Sequence, residues 1–318
     1  MTVEVAVIGA GGMAADHLAN LSENPDAETV GVCATSEASA RSTADEFEAN
    51  GQIGAYADPA TCYDAEEPDA AIVAVPPYAH PGPELAAAER GIDLLVEKPL
   101  ALARDDARRV RDVVAEADLV TQVGHMYRYA DIVERAVDLL GDRQVALVEG
   151  RWIDGVAPLD WWPERAESGG QVVEQAVHVY DLVRYLAGGV DSVEAHGGEE
   201  VVTDAIDFPD TSSATMRHES GAVSHVAASS ASPTRDVGLE LVAENCRLEL
   251  DFDAHRLAGV ADGEEVREEG SGAMYAAELD AFVAAVEAGE PGATRSPYAD
   301  ALRSFELTMD VTERIEAG

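Results

Sequence analysis

The sequence predicts a two-domain α/β protein. An N-terminal Rossmann domain with a doubly wound parallel sheet precedes a C-terminal α+β domain with a large, mainly antiparallel open sheet. The chain of 318 residues exceeds the usual size of one folding unit. Up to about residue 123, short β-rich runs alternate with helical stretches, whereas beyond it such runs follow one another with few helices between them. We therefore expect domains at residues 1–123 and 124–318, with the terminal helix able to pack back on the first domain.

Five β-rich runs mark the strands of the first domain: Val3–Ile8, Thr29–Cys33, Asp69–Val75, Ile92–Glu97 and Leu119–Val123. The helical segments between them include Ala14–Ser22, Pro83–Arg90 and Arg104–Ala117. Because crossovers between parallel strands are right-handed, repeated βα units of this kind predict a doubly wound sheet.

The second domain begins with a predicted helix, Ala130–Leu140. Six runs of alternating character follow, which predict an antiparallel sheet with one covered face: Val145–Ile153, Ser192–Gly197, Ser212–His218, Ala222–Ser229, Val237–Ala243 and Arg247–Phe252. Residues 219–221 read as a hairpin turn between two of these runs. The predicted helices of this part are Val172–Ala187, Tyr275–Ala288 and Pro297–Ile315.

The charge balance excludes several classes of partner. The formal net charge is −41, with 62 acidic against 21 basic residues. A surface this negative repels phosphate backbones and anionic lipids, so we expect neither nucleic-acid nor membrane binding. Spread along the whole chain, the acidic excess favours adaptation to a salt-rich cytoplasm, where salt screens self-repulsion. The alternative is an ordinary acidic protein from an arginine-preferring genome.

Neither export, membrane insertion nor metal binding is indicated. The chain enters a strand pattern at once, without a basic leader or a long apolar run, so we expect a cytoplasmic protein. Its three cysteines, Cys33, Cys62 and Cys246, lie far apart without metal-like spacing. We therefore expect no disulfide framework and no metal site.

A glycine-rich turn follows the first predicted strand. Gly9, Gly11 and Gly12 are followed by Met13 and Ala14 where a helix opens, which is the context of a dinucleotide-binding turn. The glycines allow a tight turn and a close approach of pyrophosphate to backbone N–H groups at the positive end of the helix. Ala14 stands where the pattern requires only a small residue. The alternative is a structural turn between strand and helix.

The end of the second predicted strand bears on the choice between NAD and NADP. NAD sites place an acidic residue there on the ribose hydroxyls, but the chain continues Cys33-Ala-Thr35-Ser36. The hydroxyls of Thr35 and Ser36, with Arg41, could hold a 2′-phosphate, which favours NADP. Glu37 keeps NAD open.

The stretch after the fifth strand contains Lys98, the only lysine among the 21 basic residues. Lysine is normally among the commonest residues, so the presence of a single lysine at the carboxyl end of a parallel strand, where ligands bind, indicates that it has a function. Pro99 restricts the residue before it to extended conformations. Arginine could not exchange a proton there, whereas a lysine can. The alternative is a surface lysine without a role.

Five segments together resemble the family of glucose-fructose oxidoreductase, inositol dehydrogenase and the rhizopine-catabolism protein, written Gfo/Idh/MocA. They are Gly9–Ala14 with His17, Pro76-Pro77 with His80, Glu97-Lys98-Pro99, Gly124–Tyr129 and Ser168–Asp181. The resemblance covers essentially the whole chain in the right order. Beside residues 35, 36 and 41, which are candidates on the chemistry above, it implies a cofactor site formed by the glycine turn and six later residues: Val75, Pro76, Pro77, His80, Glu97 and Lys98.

The same resemblance implies that Lys98, Glu174 and His178 line the substrate pocket beside the nicotinamide. Glu174 stands where the family commonly has aspartate, and Ala176 where a glycine is frequent. Both departures leave the identity of the substrate open.

The spacing of four polar residues independently predicts a polar helix face. Glu174, His178, Asp181 and Tyr185 fall within an arc of about 60° on a helix. The alternative is a solvated face of an amphipathic helix. An imidazole such as that of His178 can accept a hydroxyl proton, and an ammonium at Lys98 can stabilise the developing alkoxide. Which of the two is the base stays open, as does the choice for Asp181 between a sugar hydroxyl and bracing the helix.

Four further residues are candidates for substrate binding. Trp161 and Trp162 could stack on a sugar face or anchor the core of the second domain. Tyr127 and Arg128 resemble the pocket-lining segment of the family, with interdomain packing as the alternative. The other histidines after residue 124 show no ligand spacing.

These features predict an NADP- or NAD-dependent oxidoreductase that transfers a hydride between nicotinamide and a carbinol carbon of a sugar, cyclitol or related polyol. One alternative is a non-catalytic relative that senses dinucleotide and ligand. Another is an enzyme whose tightly held cofactor is oxidised and reduced within one turnover. The resemblance also implies a homo-oligomer, either a dimer or a tetramer.

Overall fold

The computed structural model describes residues 2–47 and 53–318. The chain forms two compact units. The first comprises residues 1–124 and 275–302, and the second comprises residues 125–274 and 303–318. A segment from near the end of the chain therefore completes the first unit.

Strands and helices are numbered along the chain. The strands are β1 (Val3–Ile8), β2 (Ala27–Cys33), β3 (Gly54–Tyr56), β4 (Ala70–Val73), β5 (Asp93–Val96), β6 (Thr121–Val123), β7 (Val145–Ile153), β8 (Val190–Gly198), β9 (Thr211–His218), β10 (Val223–Ser229), β11 (Asp236–Ala243), β12 (Cys246–Asp251), β13 (Arg256–Ala261) and β14 (Glu264–Glu269). The α-helices are α1 (Gly12–Glu23), α2 (Glu37–Phe47), α3 (Pro59–Glu66), α4 (Gly82–Ala88), α5 (Arg104–Glu116), α6 (Asp131–Leu140), α7 (Arg165–Ser168), α8 (Gln171–Glu174), α9 (Val177–Ala187), α10 (Met274–Ala288) and α11 (Tyr298–Ala317).

The first unit contains a parallel six-stranded sheet in the order β3-β2-β1-β4-β5-β6. This confirms the predicted Rossmann fold. The strand order reverses between β1 and β4, and ligands of such sheets bind in the crevice at the carboxyl ends of the strands at this point. The helices α2 and α3 and the short β3 are not among the elements named from the sequence. For β3 the reason is that three half-buried residues give too little periodicity to be recognised.

Helices α1 and α10 bury apolar side chains in one core. Leu18 and Leu21 of α1 and Leu279 and Phe282 of α10 belong to the same cluster as the interior of β1. Farther along, residues 294–296 run beside β6. The side chain of Thr294 donates to the carbonyl of Thr121 at 2.7 Å. These contacts explain why residues 275–302 belong to the first unit.

The second unit contains an eight-stranded sheet in the order β14-β13-β12-β11-β7-β10-β9-β8. Its pairings are antiparallel except between β7 and β10, which run parallel. The predicted mainly antiparallel sheet is thus confirmed. The predicted hairpin turn joins β9 to β10, and Gly221 adopts a φ of 88° in it. The acidic edge strand β14 lacks the alternation from which a strand could be predicted.

One helix differs from the sequence prediction. Residues 172–187 do not form a continuous helix, because α8 ends at Glu174 and α9 begins at Val177. Helix α9 packs against β7 where Gly150 leaves room, since a Cβ there would collide with Val179. The polar residues of the predicted face are therefore divided between two helices.

Two further observations concern cysteine and membranes. Cys33, Cys62 and Cys246 are free and buried. Within residues 2–47 and 53–318, no helix combines the length and the apolar character needed to cross a bilayer.

Asp93 at the start of β5 provides a test of this fold by pH. Burial raises the pKa of its half-buried carboxyl to about 6, against the lowering effect of the Val120 N–H, and Asp69 raises it further. An acid with a raised folded pKa destabilises the native state once it ionises, so this loss develops as the pH rises from about 4 to about 6. Asparagine can still accept the 2.8 Å hydrogen bond from Val120.

We expect Asp93→Asn to stabilise the protein at pH 7 by about 1 kcal/mol, a figure reduced for solvent screening of the half-exposed group. Urea unfolding at pH 7 and pH 4.5 measures it. The gain should shrink at the lower pH, where the wild-type carboxyl is protonated. The control Asp16→Asn changes an exposed aspartate on α1 and should be neutral. Equal gains at both pH values would contradict the ionisation argument.

Candidate functional site

The glycine turn lies at the carboxyl end of β1. Gly9 has a φ of 134°, and a Cβ there would collide with the carbonyl oxygen of Ala74, so only glycine fits. In contrast, a Cβ on Gly11 or Gly12 would meet no protein atom within 4 Å. These two glycines leave open space over the first N–H groups of α1, which suits a pyrophosphate.

The two residues after the glycines complete this turn. Met13 is half-buried, and Ala14 is completely buried behind Gly9, where its small side chain allows the close packing. The arrangement fits the predicted dinucleotide turn.

The end of β2 presents hydroxyl groups and no acid. Thr35 and Ser36 are exposed, and the Ser36 hydroxyl accepts the Ser39 N–H at 3.2 Å at the start of α2. Arg41 on α2 donates to the carbonyl of Ile53 at 2.7 Å. Of the three residues predicted to hold a 2′-phosphate, Thr35 and Ser36 lie directly before α2, and Arg41 lies one turn into the helix with its guanidinium 3.5 Å from Asp45.

The turn after β4 ends in a buried ion pair. Val75 and Pro76 are half-buried, Pro77 is buried, and Nδ1 of His80 bonds the Glu84 carboxylate. Burial alone would lower the pKa of His80, but the charge and hydrogen bond of Glu84 outweigh it and raise that pKa. His80 therefore anchors this turn on α4.

Lys98 lies directly after β5, at the carboxyl edge of the parallel sheet, and is partly buried. The preceding Glu97 is buried, and its Oε1 lies 2.8 Å from Nε2 of His17. The Lys98–Pro99 peptide bond is cis. His17 is part of the glycine-turn motif that resembles the family, but no pattern in the sequence predicts a role for it.

In the second unit, His178 lies in a cluster of rings. Its imidazole stacks on Trp152 with ring centroids 5.7 Å apart and an interplanar angle of 22°. Tyr127 meets the same imidazole at 5.6 Å, and His125 meets it edge-on at 6.1 Å. Phe252 stacks on Tyr127 at 4.1 Å. These five residues form the aromatic cluster. Trp152 and Phe252 were not predicted, because single aromatic residues inside strand patterns look like core.

Arg235 closes one side of the aromatic cluster. Its guanidinium lies 4.8 Å from the centroid of the Trp152 ring and donates to the Tyr127 hydroxyl at 3.1 Å. Its Nε donates to Asp253 at 2.8 Å. Burial raises the pKa of Tyr127 to about 12 although Arg235 opposes this effect. Tyr127 therefore keeps its proton at neutral pH.

Glu174 at the end of α8 is held by a tryptophan. The indole N–H of Trp162 donates to its Oε2 at 2.7 Å. Trp162 is fully buried and meets the ring of Phe208 edge-on at 5.1 Å. Trp161 is half-buried. The structure thus brings Trp162 and Glu174 together, and the indole serves the core and orients the carboxylate.

Arg128 and Asp181 form a buried ion pair. Two guanidinium nitrogens lie 2.6 and 2.7 Å from the two carboxylate oxygens, and the Ser304 hydroxyl donates at 2.6 Å. Burial alone would raise the pKa of Asp181, but His125, Arg128 and Ser304 hold it well below its usual range. The guanidinium of Arg128 also lies over the ring of Tyr185, with its Cζ 4.8 Å from the ring centroid. Of the two roles considered for Asp181, these contacts favour bracing.

Known proteins resemble this chain in sequence and in fold. The model of the oxidoreductase family with an NAD-binding Rossmann fold (GFO/IDH/MocA) matches residues 3–125, and the model of the GFO/IDH/MocA C-terminal domain matches residues 143–249. Levoglucosan dehydrogenase in complex with NADH has the same fold, with a TM-score of 0.89, 19% identity and coverage of 100% of this chain and 98% of that one.

Two relatives show how the similarity is distributed. The D-xylose 1-dehydrogenase (NADP(+)) 2 of Haloferax volcanii is 28% identical over 96% of both chains. The 2,7-anhydro-N-acetylneuraminate hydratase of Mediterraneibacter gnavus is 28% identical over 62% of this chain, and the match spans about half, 53%, of that relative. Because these two family models match residues 3–125 and 143–249, which is most of the chain, the chain belongs to the Gfo/Idh/MocA family of oxidoreductases.

Proposed function

We propose that this protein is an NADP- or NAD-dependent dehydrogenase of sugars, cyclitols or related polyols, in which Lys98 and His178 serve the same reaction. The observation that carries the proposal is the position of the only lysine at the carboxyl edge of a dinucleotide-binding sheet. A bound nicotinamide supplies the hydride acceptor. The xylose dehydrogenase that matches 96% of the chain supports the substrate class.

The roles of the side chains follow from the chemistry of a carbinol. Oxidation requires that the hydroxyl proton leaves as the hydride departs. The imidazole of His178 is suited to accept that proton, and the ammonium of Lys98 is suited to stabilise the alkoxide by a hydrogen bond. Trp152, which stacks on the imidazole, and Tyr127, which meets it edge-on, together fix the plane of the His178 ring. In this proposal Glu174, whose carboxylate is oriented by the Trp162 indole, is the acidic residue of the substrate pocket beside Lys98 and His178.

For the cofactor we propose NADP. No acidic residue ends β2, Thr35 and Ser36 lie directly before α2, and Arg41 lies one turn into that helix. Helix α2 adds the positive end of its dipole, which favours an anion. The relative named for NADP supports the same choice.

We expect Arg41→Ala to raise the Kd of NADPH about tenfold or more and to change that of NADH less than twofold, because a charge-assisted hydrogen bond to the 2′-phosphate is lost. Fluorescence titration with both nucleotides measures this. Arg111→Ala, on α5 and paired with Asp112 in the native protein, is the matched loss of one positive charge. Equal weakening of both nucleotides would contradict the assignment of Arg41.

The proposal is tested by a screen of aldoses, inositols and sugar acids for NADPH or NADH formation. The assay is run in dilute buffer and in molar KCl, because the net charge of −41 predicts self-repulsion that salt screens. Turnover of a polyol with stoichiometric reduced nucleotide is the expected result. Tight binding of the nucleotide with no turnover of any carbinol would reject the proposed reaction.

A second candidate is a redox-neutral reaction in which the cofactor is reduced and reoxidised within one turnover. The match to a hydratase favours it. In that case the substrate is consumed while no NADPH accumulates. Chromatographic analysis of every reaction mixture, alongside the absorbance of reduced nucleotide, separates the two candidates.

A further inference from the structure

A buried carboxylate precedes Lys98. Glu97 is 6% exposed at the end of β5. Its Oε1 accepts from Nε2 of His17 at 2.8 Å, and its Oε2 accepts the backbone N–H of Lys98 at 3.3 Å. His17 is 1% exposed and lies on α1, the helix whose first residues form the glycine turn. One side chain therefore contacts both the dinucleotide helix and the backbone of the lysine.

Gly124 leaves the space that this carboxylate occupies. A Cβ on Gly124 would lie 2.6 Å from Oε2 and 2.8 Å from Cδ of Glu97. The backbone N–H of Gly124 donates to the carbonyl of Val96, which holds it beside β5. The absence of a side chain at residue 124 thus leaves the space that the carboxylate fills.

The carboxylate is charged despite its burial. Burial alone would raise the pKa of Glu97, but the hydrogen bond and charge of His17, the charge of Lys98 and its backbone N–H lower it below the usual range. A buried charge is costly unless it is paired, and an apolar pair of similar volume often stabilises a fold as well or better. Stability of the fold alone therefore does not account for an ion at this place.

We infer that Glu97 and His17 are positioning residues that link the pyrophosphate-binding turn of α1 to the backbone of Lys98. His17 lies five residues beyond Gly12, about 7.5 Å along the helix, so a shift of its ring moves the turn that receives the pyrophosphate. The role of Lys98 rests on the proposed function. The link to the glycine turn does not.

The test uses the full-length protein and NADPH as the probe. Glu97→Gln keeps the shape and removes the charge, and His17→Ala removes the partner. We expect each substitution to raise the Kd of NADPH at least fivefold. Because both substitutions break the same link, the double variant should bind NADPH as tightly as the single variant with the higher Kd. The conservative variant Glu97→Asp, which keeps the charge, should recover part of the affinity.

Leu18→Ala is the matched control. Leu18 neighbours His17 on α1, is buried in the apolar core and is not part of the link. It should lower Tm while the Kd of NADPH stays within twofold, a result that separates positioning from general loss of stability. If His17→Ala fails to fold, Glu97→Gln carries the test alone.

An unchanged Kd in Glu97→Gln, or additive effects in the double variant, would overturn the inference. Because the Kd requires no substrate, its outcome is independent of the proposed reaction. If Lys98→Ala abolishes turnover while Glu97→Gln leaves the Kd of NADPH unchanged, only the inferred link is wrong. If the Kd responds but no carbinol is oxidised, only the proposed function is wrong.

Discussion

Replacing Lys98 by alanine should lower kcat by about a hundredfold or more while the Kd of NADPH stays within a few-fold. A positioned proton-transfer or alkoxide-stabilising group contributes on this scale. Since no other lysine exists in the chain, no neighbouring lysine can take over its role. Steady-state kinetics with the substrate found in the screen, together with fluorescence titration of NADPH, measures both quantities.

Lys98→Arg distinguishes charge from proton exchange. It keeps a positive charge, but its guanidinium does not deprotonate in proteins. If the amine takes part in proton transfer, Lys98→Arg should be nearly as inactive as Lys98→Ala. If the charge alone stabilises the alkoxide, activity should be largely retained. Full turnover by Lys98→Ala would end the role assigned to this residue.

Asp181→Ala should lower the stability of the second unit by about 3–5 kcal/mol, because it leaves the buried guanidinium of Arg128 without its carboxylate. Tm should fall by roughly 10 °C. Thermal unfolding measures the loss. The control Asp253→Asn removes the charge of a partly exposed carboxylate in the same unit and should cost about 1 kcal/mol or less.

The same pair should make the unit sensitive to acid. The pKa of Asp181 is depressed in the folded state, so its stabilisation is present above the unfolded value of about 4 and is lost as the pH falls toward the folded value. Asp181→Asn should therefore flatten the decline of stability below pH 4. If Asp181→Asn left the stability intact and raised KM alone, the sugar-binding alternative for Asp181 would be correct.

Local sequence signals explain which parts of the fold were predictable. The glycine turn, the alternation of β-rich and helical runs and the hairpin at residues 219–221 are short-range patterns, and each predicted the correct element. The strands β3, β13 and β14 were not predicted, because they are short, contain glycine or carry acidic residues. Pairing with neighbours forms them, and a sequence window cannot show those neighbours.

The candidate site shows the same limit. The polar spacing of Glu174, His178 and Asp181 predicts one helix face directed at a ligand. In the structure a break between α8 and α9 separates Glu174 from the other two residues, and Asp181 pairs with Arg128, 53 residues away in the sequence. An ion pair between residues far apart in the sequence produces no periodic pattern from which it could be predicted. The bond between His17 and Glu97 spans 80 residues and was hidden for the same reason.

The parallel pairing of β7 with β10 has a consequence for biosynthesis. Strand β7 takes both of its neighbours, β10 and β11, from residues beyond 222, so it leaves the ribosome with two unpaired edges. Closing so long a loop is slow, and an exposed strand edge invites intermolecular pairing in the meantime. A nascent chain that stalls before residue 223 should be the species most in need of a chaperone.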